Sequence, residues 1–286
     1  MISYGISHGA VTVVNAIPCG IGATVGIDIT TKAGFSVSGS ESTVSVVNDP
    51  AEDTKMAKIC VRNTFLHFGT EEPEGWSLAV DSRIPVSKGL KSSSSACNAI
   101  VMAVSEWISS EYGKRTFGYT KNDVLKMIEL GVKCAREANV TVTGAFDDAC
   151  GCHLGGFVIT DNTNNRLIRR IEVEENDVIL LIPEAKIRKP SLNREAFFAV
   201  SEESKKLAKA AENNWYDSLT ENGKLIAKVM NIDDSIAYKA IELGALAAGV
   251  SGTGPSVSVI VKKGDGGSFL KDLCPEGYAS VVTRTR

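Results

Sequence analysis

The stretch that most limits what this chain can become is residues 85–96, Pro85-Val86-Ser87-Lys88-Gly89-Leu90-Lys91-Ser92-Ser93-Ser94-Ser95-Ala96. It follows residues 76–83, whose alternation predicts a strand. It leads into residues 93–109, whose spacing predicts a helix with Cys97, Ile100, Val101, Val104 and Ile108 on one face. A glycine at such a junction lets the backbone turn sharply. The serines then occupy a helix N-terminus, where backbone N–H groups have no helical partner and the dipole favours an anion. One serine suffices for a cap. Four supply further donors for phosphate oxygens and an oxygen ligand for magnesium. The loop is neither GxxxxGK[ST] nor GxGxxG: Lys88 precedes Gly89, and no glycine lies five residues upstream.

Two other segments carry chemistry. Gly249-Val250-Ser251-Gly252-Thr253-Gly254-Pro255-Ser256 joins an alanine-rich helical segment to a predicted strand at 257–261. Glycines at that density serve positive φ or a close backbone approach. Thr141-Val142-Thr143-Gly144-Ala145-Phe146-Asp147-Asp148-Ala149 sets two adjacent acids in an apolar, glycine-bearing stretch. Either acid can take a proton from an attacking hydroxyl or interact with magnesium. Glu137, near the end of a helix predicted at 121–138, is a further magnesium-ligand candidate.

Strand patterns dominate early, at 10–16, 25–31, 35–47 and 76–83. Helical patterns fill 53–68, 93–109, 121–138, 193–212, 215–229 and 233–246, and strands return at 157–160, 178–182, 257–261 and 278–283. Residues 140–156 read as irregular. This order predicts an α+β protein of two packed lobes, divided near Gly155-Gly156. A net charge of −3 without a basic block argues against nucleic acid or an anionic membrane as partner. The apolar runs are too short to span a bilayer. No secretory leader is visible, and seven scattered cysteines lack zinc or redox spacing, so the expected setting is a reducing cytoplasm.

Pro85, Gly89, Leu90, Ser92, Ser93 and Ala96 fall near the pattern PxxxGLxSSxA, with one extra serine before the alanine. In this the chain resembles the GHMP kinases (galactokinase, homoserine kinase, mevalonate kinase and phosphomevalonate kinase). Residues 251–256 look like the family's glycine-rich third motif, and Asp147-Asp148 matches the position of a catalytic acid. The stretches 13–17, 141–149 and 155–162 are similar to the archaeal shikimate-kinase branch; Lys91 stands where many relatives carry Gly or Ser.

The resemblance implies an N-terminal domain at 1–155 with a ribosomal-protein-S5-like fold and a ferredoxin-like C-terminal domain at 156–286, with ATP between them. It implies nucleotide contacts from Asn15, Pro85, Lys88, Gly89, Leu90, Lys91, Ser92, Ser93, Ser94, Ser95, Ala96, Gly252, Thr253 and Gly254. Magnesium would be held by Ser95 or Ser94, with Glu137. Asp147 or Asp148 would act on the 3-hydroxyl of shikimate, and Arg194 or Arg188 would meet the substrate carboxylate. The alternatives are a homoserine or mevalonate-type kinase and a non-catalytic nucleotide-binding relative.

Overall fold

The chain opens with two long strands, β1 (Ile2–Val14) and β2 (Ile21–Val37), paired antiparallel from Ile2↔Ser36 to Val14↔Ala23. Along its other edge β2 serves two partners. Residues 21–25 pair with β5 (Phe157–Asp161) and residues 31–37 with β4 (Trp76–Ser82), both antiparallel. A short β3 (Thr43–Val46) lies parallel to β4, and β6 (Arg166–Ile171) closes the opposite edge. This computed structural model describes residues 1–85, 89–118, 120–141, 143–183 and 192–286. Lys88 and Arg188, both named above as ligand-binding candidates, lie outside the described residues.

Helices α1 (Lys55–His67), α2 (Ser92–Tyr112), α3 (Lys121–Glu137) and α4 (Phe146–Leu154) pack with this sheet. The packing centres on an aromatic cluster of Phe35, Phe65, Trp76 and Trp107. α2 carries the apolar face its spacing predicts: Cys97, Ile100, Val101, Val104 and Ile108 are all buried.

The second sheet has the order β10-β7-β9-β8, with β7 (Asp177–Pro183), β8 (Ala247–Val250), β9 (Val257–Val261) and β10 (Tyr278–Arg284) all antiparallel. With it lie α5 (Arg194–Ala199), α6 (Ser201–Ala210), α7 (Trp215–Met230), α8 (Ser235–Glu242) and α9 (Gly266–Leu273). One apolar cluster joins the two sheets: Val11, Val13, Val25 and Ile27 of the first meet Val178, Leu180 and Ile260 of the second.

The α+β organisation in two parts is as expected. The division at 155/156 is not where the sheets change: β5 and β6 follow it yet pair into the first sheet, so the change falls between Ile171 and Asp177. Residues 140–156 are not wholly irregular, because they contain α4. The predicted helix at 233–246 stops at Glu242, and residues 247–250 form β8. Among the described residues no helix is long and apolar enough to cross a membrane.

Candidate active site

Two helices begin at one cavity, and neither is capped by its N-cap side chain. α2 starts after Lys91 (φ 69°) and α4 after Ala145 (φ 50°), both in the left-handed region. A non-glycine residue there costs roughly 1–2 kcal/mol. The Ser95 N–H bonds to the Lys91 carbonyl 3.0 Å away and so opens the helical ladder. The N–H groups of the three serines before it are those a helix leaves without an internal partner. Ser92, Ser93 and Ser94 line the cavity. The serines therefore do not act as a redundant cap; they present hydroxyls and free donors to the same space.

That cavity, about 430 Å³, is bounded by Thr12, Asn15, Ala16 and Ile17 at the end of β1, by Gly89 and Lys91, and by Gly252 and Thr253. The end of α3 and the following loop form another wall through Ala135, Asn139 and Thr141. Asp147 and Asp148 lie on the α4 side.

Hydrogen bonds between distant segments set the loops against each other. Ser251 Oγ donates to the Gly89 carbonyl (3.0 Å) and accepts the Thr12 N–H (3.2 Å). The Gly252 N–H donates to Thr12 Oγ1 (2.9 Å), and Asn15 Nδ2 donates to the Gly252 carbonyl (2.9 Å). Asn222 Oδ1 accepts the Asn15 N–H (2.9 Å). Gly89 has φ 81°, and a Cβ there would come within 2.3 Å of the Ser251 carbonyl oxygen, so this crossing admits only glycine. Asn15 is thus at the site, but its side-chain nitrogen donates to the glycine loop and its oxygen accepts the Ile17 N–H (2.9 Å).

The two acids are held differently. Lys91 Nζ lies 3.0 Å from Asp148 Oδ1, with side-chain exposures of 8% and 17%; the approach is poorly aligned for a hydrogen bond, so the contact is an ion pair. Asp147 is buried, and its Oδ1 accepts Asn162 Nδ2 at 2.6 Å. Burial pushes its carboxyl up to about 7. The neighbouring Asp148 charge adds to the rise, while Lys91 and the Asn162 bond oppose it. Gly22 makes room for it: a Cβ on Gly22 would lie 2.4 Å from Asp147 Oδ2.

Several residues expected at the site are elsewhere. Ser95 is fully buried, turned inward by the helical rotation from Ser94, and its hydroxyl has no hydrogen-bond partner among the described residues. Glu137 faces away from the cavity: Arg62 and Asn63 of α1 donate to its two oxygens, and it lines a separate cleft with Asp53 and Lys58. Leu90 is a core residue of the cluster joining the sheets, and Pro85 and Ala96 do not line the cavity. Gly254 bends the loop at φ 72° without lining the cavity. Arg194 is exposed on α5 and does not line the cavity.

A second cleft of about 410 Å³ adjoins the first and shares Ala16, Ile17 and Thr143 with it. Its remaining wall includes Cys19, Asn162, Phe198, Ser201 and Lys205. Phe198 is 69% exposed, an unusual setting for so large an apolar side chain. Ser251 and Asn162 lie in segments that the sequence marks, 249–256 and 155–162, but no local signal marks the roles of their side chains, of Thr12 or of this cleft.

The chain matches the family description "GHMP kinases N terminal domain" over residues 55–156 and "GHMP kinases C terminal" over residues 196–279. It is 36% identical over 264 residues to a shikimate kinase of Methanosarcina mazei, covering 91% of this chain and 85% of that protein. To a shikimate kinase of Pyrococcus furiosus it is 32% identical over 295 residues, covering the whole of both. Its fold is similar to that of the Methanococcus jannaschii mevalonate kinase, with a TM-score of 0.77, 19% identity and coverage of 100% and 98%. A homoserine kinase from Cytophaga hutchinsonii superposes with a TM-score of 0.67 and 16% identity, covering 99% and 95%.

Proposed function

The chain belongs to the GHMP kinases, and from that premise we propose that it transfers the γ-phosphoryl group of ATP to the 3-hydroxyl of shikimate. The observation that carries the substrate is the likeness to proteins named shikimate kinase, 31–36% identical over 87% or more of this chain. Mevalonate and homoserine kinases share the fold at 15–19% identity, which supports the architecture and not their substrates.

ATP phosphates lie against the N-terminus of α2. The N–H groups and hydroxyls of Ser92, Ser93 and Ser94 meet the phosphate oxygens, and the strand-end and glycine-loop residues Thr12, Gly252 and Thr253 face them. Hard oxygen donors at the cavity suit a hard divalent cation. Ser93 and Ser94 are the ligands we assign to magnesium in place of Ser95 and Glu137, which are turned away. Bound there, magnesium would neutralise phosphate charge.

Asp147 is the acid we assign to the acceptor. It is held by Asn162 at the junction of cavity and side cleft, and a carboxyl near 7 suits a proton acceptor at neutral pH. The hydroxyl oxygen forms its bond to the γ-phosphorus as the bond to the bridging oxygen breaks; the proton passes to Asp147, and ADP leaves. Asp148 balances Lys91 rather than receiving the proton. The acceptor occupies the side cleft, where Lys205 is the cation for its carboxylate. Among the described residues Lys205 is paired only with exposed Glu202, a contact easily exchanged. Charge and fold support cytoplasmic small-molecule chemistry, with the two substrates as partners.

The test is ADP release with Mg-ATP and shikimate, homoserine, mevalonate or no acceptor, with Asp147→Asn and Asp148→Asn beside the native protein. Release that requires shikimate and collapses in Asp147→Asn is expected. Turnover of homoserine or mevalonate alone would overturn the substrate.

A further inference from the structure

Asn162 is buried at the end of β5, 15 residues beyond Asp147, and every hydrogen-bonding group it owns is used. Its N–H donates to the Gly20 carbonyl (2.8 Å), and its own carbonyl accepts from the Arg136 guanidinium (3.3 Å). The side-chain oxygen accepts from Thr160 Oγ1 (2.7 Å) and from the Asp147 N–H (3.1 Å). The side-chain nitrogen donates to Asp147 Oδ1 (2.6 Å) and to Thr143 Oγ1 (3.4 Å). The amide can sit only this way round. The Asp147 backbone N–H can only donate, so the asparagine oxygen must face it and the NH2 group must face the carboxylate.

We propose that Asn162 is the positioning residue for Asp147: one amide grips both the backbone and the carboxylate of that residue, fixing Oδ1 and leaving Oδ2, packed over Gly22, for the acceptor hydroxyl. The part of this concerning the acceptor rests on the reading of Asp147 as proton acceptor. The grip is rigid because its base is rigid. Asn162 is tied at its main chain to the β1–β2 connection and to α3, and Thr160 locks the amide torsion. A carboxylate held on a fixed frame, by the Asn162 amide and with help from the Asp148 backbone N–H, keeps one direction of attack, which is what a transfer needing in-line geometry requires.

The amide also favours the ionised form of Asp147, since it bonds the charged carboxylate. The other charged or titratable groups around that carboxylate are Asp148, Cys150 and Cys152 of α4, Lys91 before α2 and Arg136 of α3. The neighbouring residues Gly22 and Thr24 of β2 and Thr160 of β5 do not ionise near neutrality.

Two variants test this. Asn162→Leu keeps the branched shape and removes the amide; Thr160→Val keeps Asn162 and removes the hydroxyl that locks it. Both should lower kcat, Asn162→Leu by roughly 10²-fold and Thr160→Val by several-fold, with KM for ATP changed less than about twofold. The acidic limb of kcat/KM should move to higher pH by about one unit in Asn162→Leu. A readout independent of any acceptor is carboxyl-carbon NMR of aspartate-labelled protein, in which the Asp147 signal is identified by its loss in Asp147→Asn. That titration should move up in both variants. Such a shift in a protein that does not phosphorylate shikimate would uphold the Asn162–Asp147 link while the substrate reading fails. An active native enzyme whose folded variants show neither a lower kcat nor a moved titration would overturn the proposal. If Asn162→Leu does not fold, Thr160→Val decides.

Discussion

Lys91 Nζ sits 3.0 Å from Asp148 Oδ1, joining the residue before α2 to the first turn of α4 with both side chains almost withdrawn from water. Breaking such a pair from one side leaves a charge without compensation, at a cost of about 3–5 kcal/mol. Lys91→Met and Asp148→Asn should each lower the melting temperature by several degrees. The double variant should regain much of the loss, because neither charge is then stranded. Thermal unfolding of the four proteins gives the coupling energy; a double variant that simply sums the single losses would deny the pair.

Asp147 titrates near 7, against an ordinary value of 3.8, chiefly through burial. From about pH 4 to 7 the folded protein holds a proton that the unfolded chain has released, so this group's contribution to stability falls as pH rises through that window. Asp147→Asn should therefore stabilise the protein more at pH 8 than at pH 5, by a difference on the order of 2–4 kcal/mol. Its catalytic effect runs the other way: native kcat/KM should fall tenfold per pH unit below about 7, and the variant should lose that dependence. Melting curves and initial rates at the two pH values check both signs.

Gly22 lies under the Asp147 carboxylate, where an added Cβ would come 2.4 Å from Oδ2 and 2.6 Å from Cγ. Gly22→Ala should push the acid out of line and lower kcat by roughly 10²-fold while leaving KM for ATP nearly unchanged. Steady-state kinetics with each substrate varied in turn would show this split.

Ser251 holds the serine loop and the end of β1 through one hydroxyl. Each bond is worth about 0.5–1.5 kcal/mol. Ser251→Ala should raise KM for ATP several-fold and lower the melting temperature modestly. Lys205→Met should spare ATP and raise KM for the acceptor about tenfold, with Lys205→Arg intermediate.

The serine and glycine loops were legible because a local run of residues announces them, and the apolar face of α2 followed from spacing alone. α4 was not. It has nine residues, begins on a left-handed alanine and carries Cys150-Gly151-Cys152 in its interior, so neither cap nor periodicity marks it. The inward turn of Ser95 and the engagement of Glu137 by Arg62 and Asn63 depend on how helices pack. Both residues have the right chemistry for magnesium and face the wrong way. Asn162, Thr12 and Ser251 act through partners 15 to 240 positions distant, which no window along the chain can expose.

The Ser251–Gly89 hydrogen bond spans 162 positions. At about 5–20 residues per second, the serine loop is synthesised roughly 8–30 s before the residue that locks it exists. A nascent chain stalled or cleaved ahead of residue 251 would hold the whole serine motif and yet lack a stitched phosphate cradle. Competence to hold a nucleotide thus waits on residue 251, long after the serine motif itself has been made.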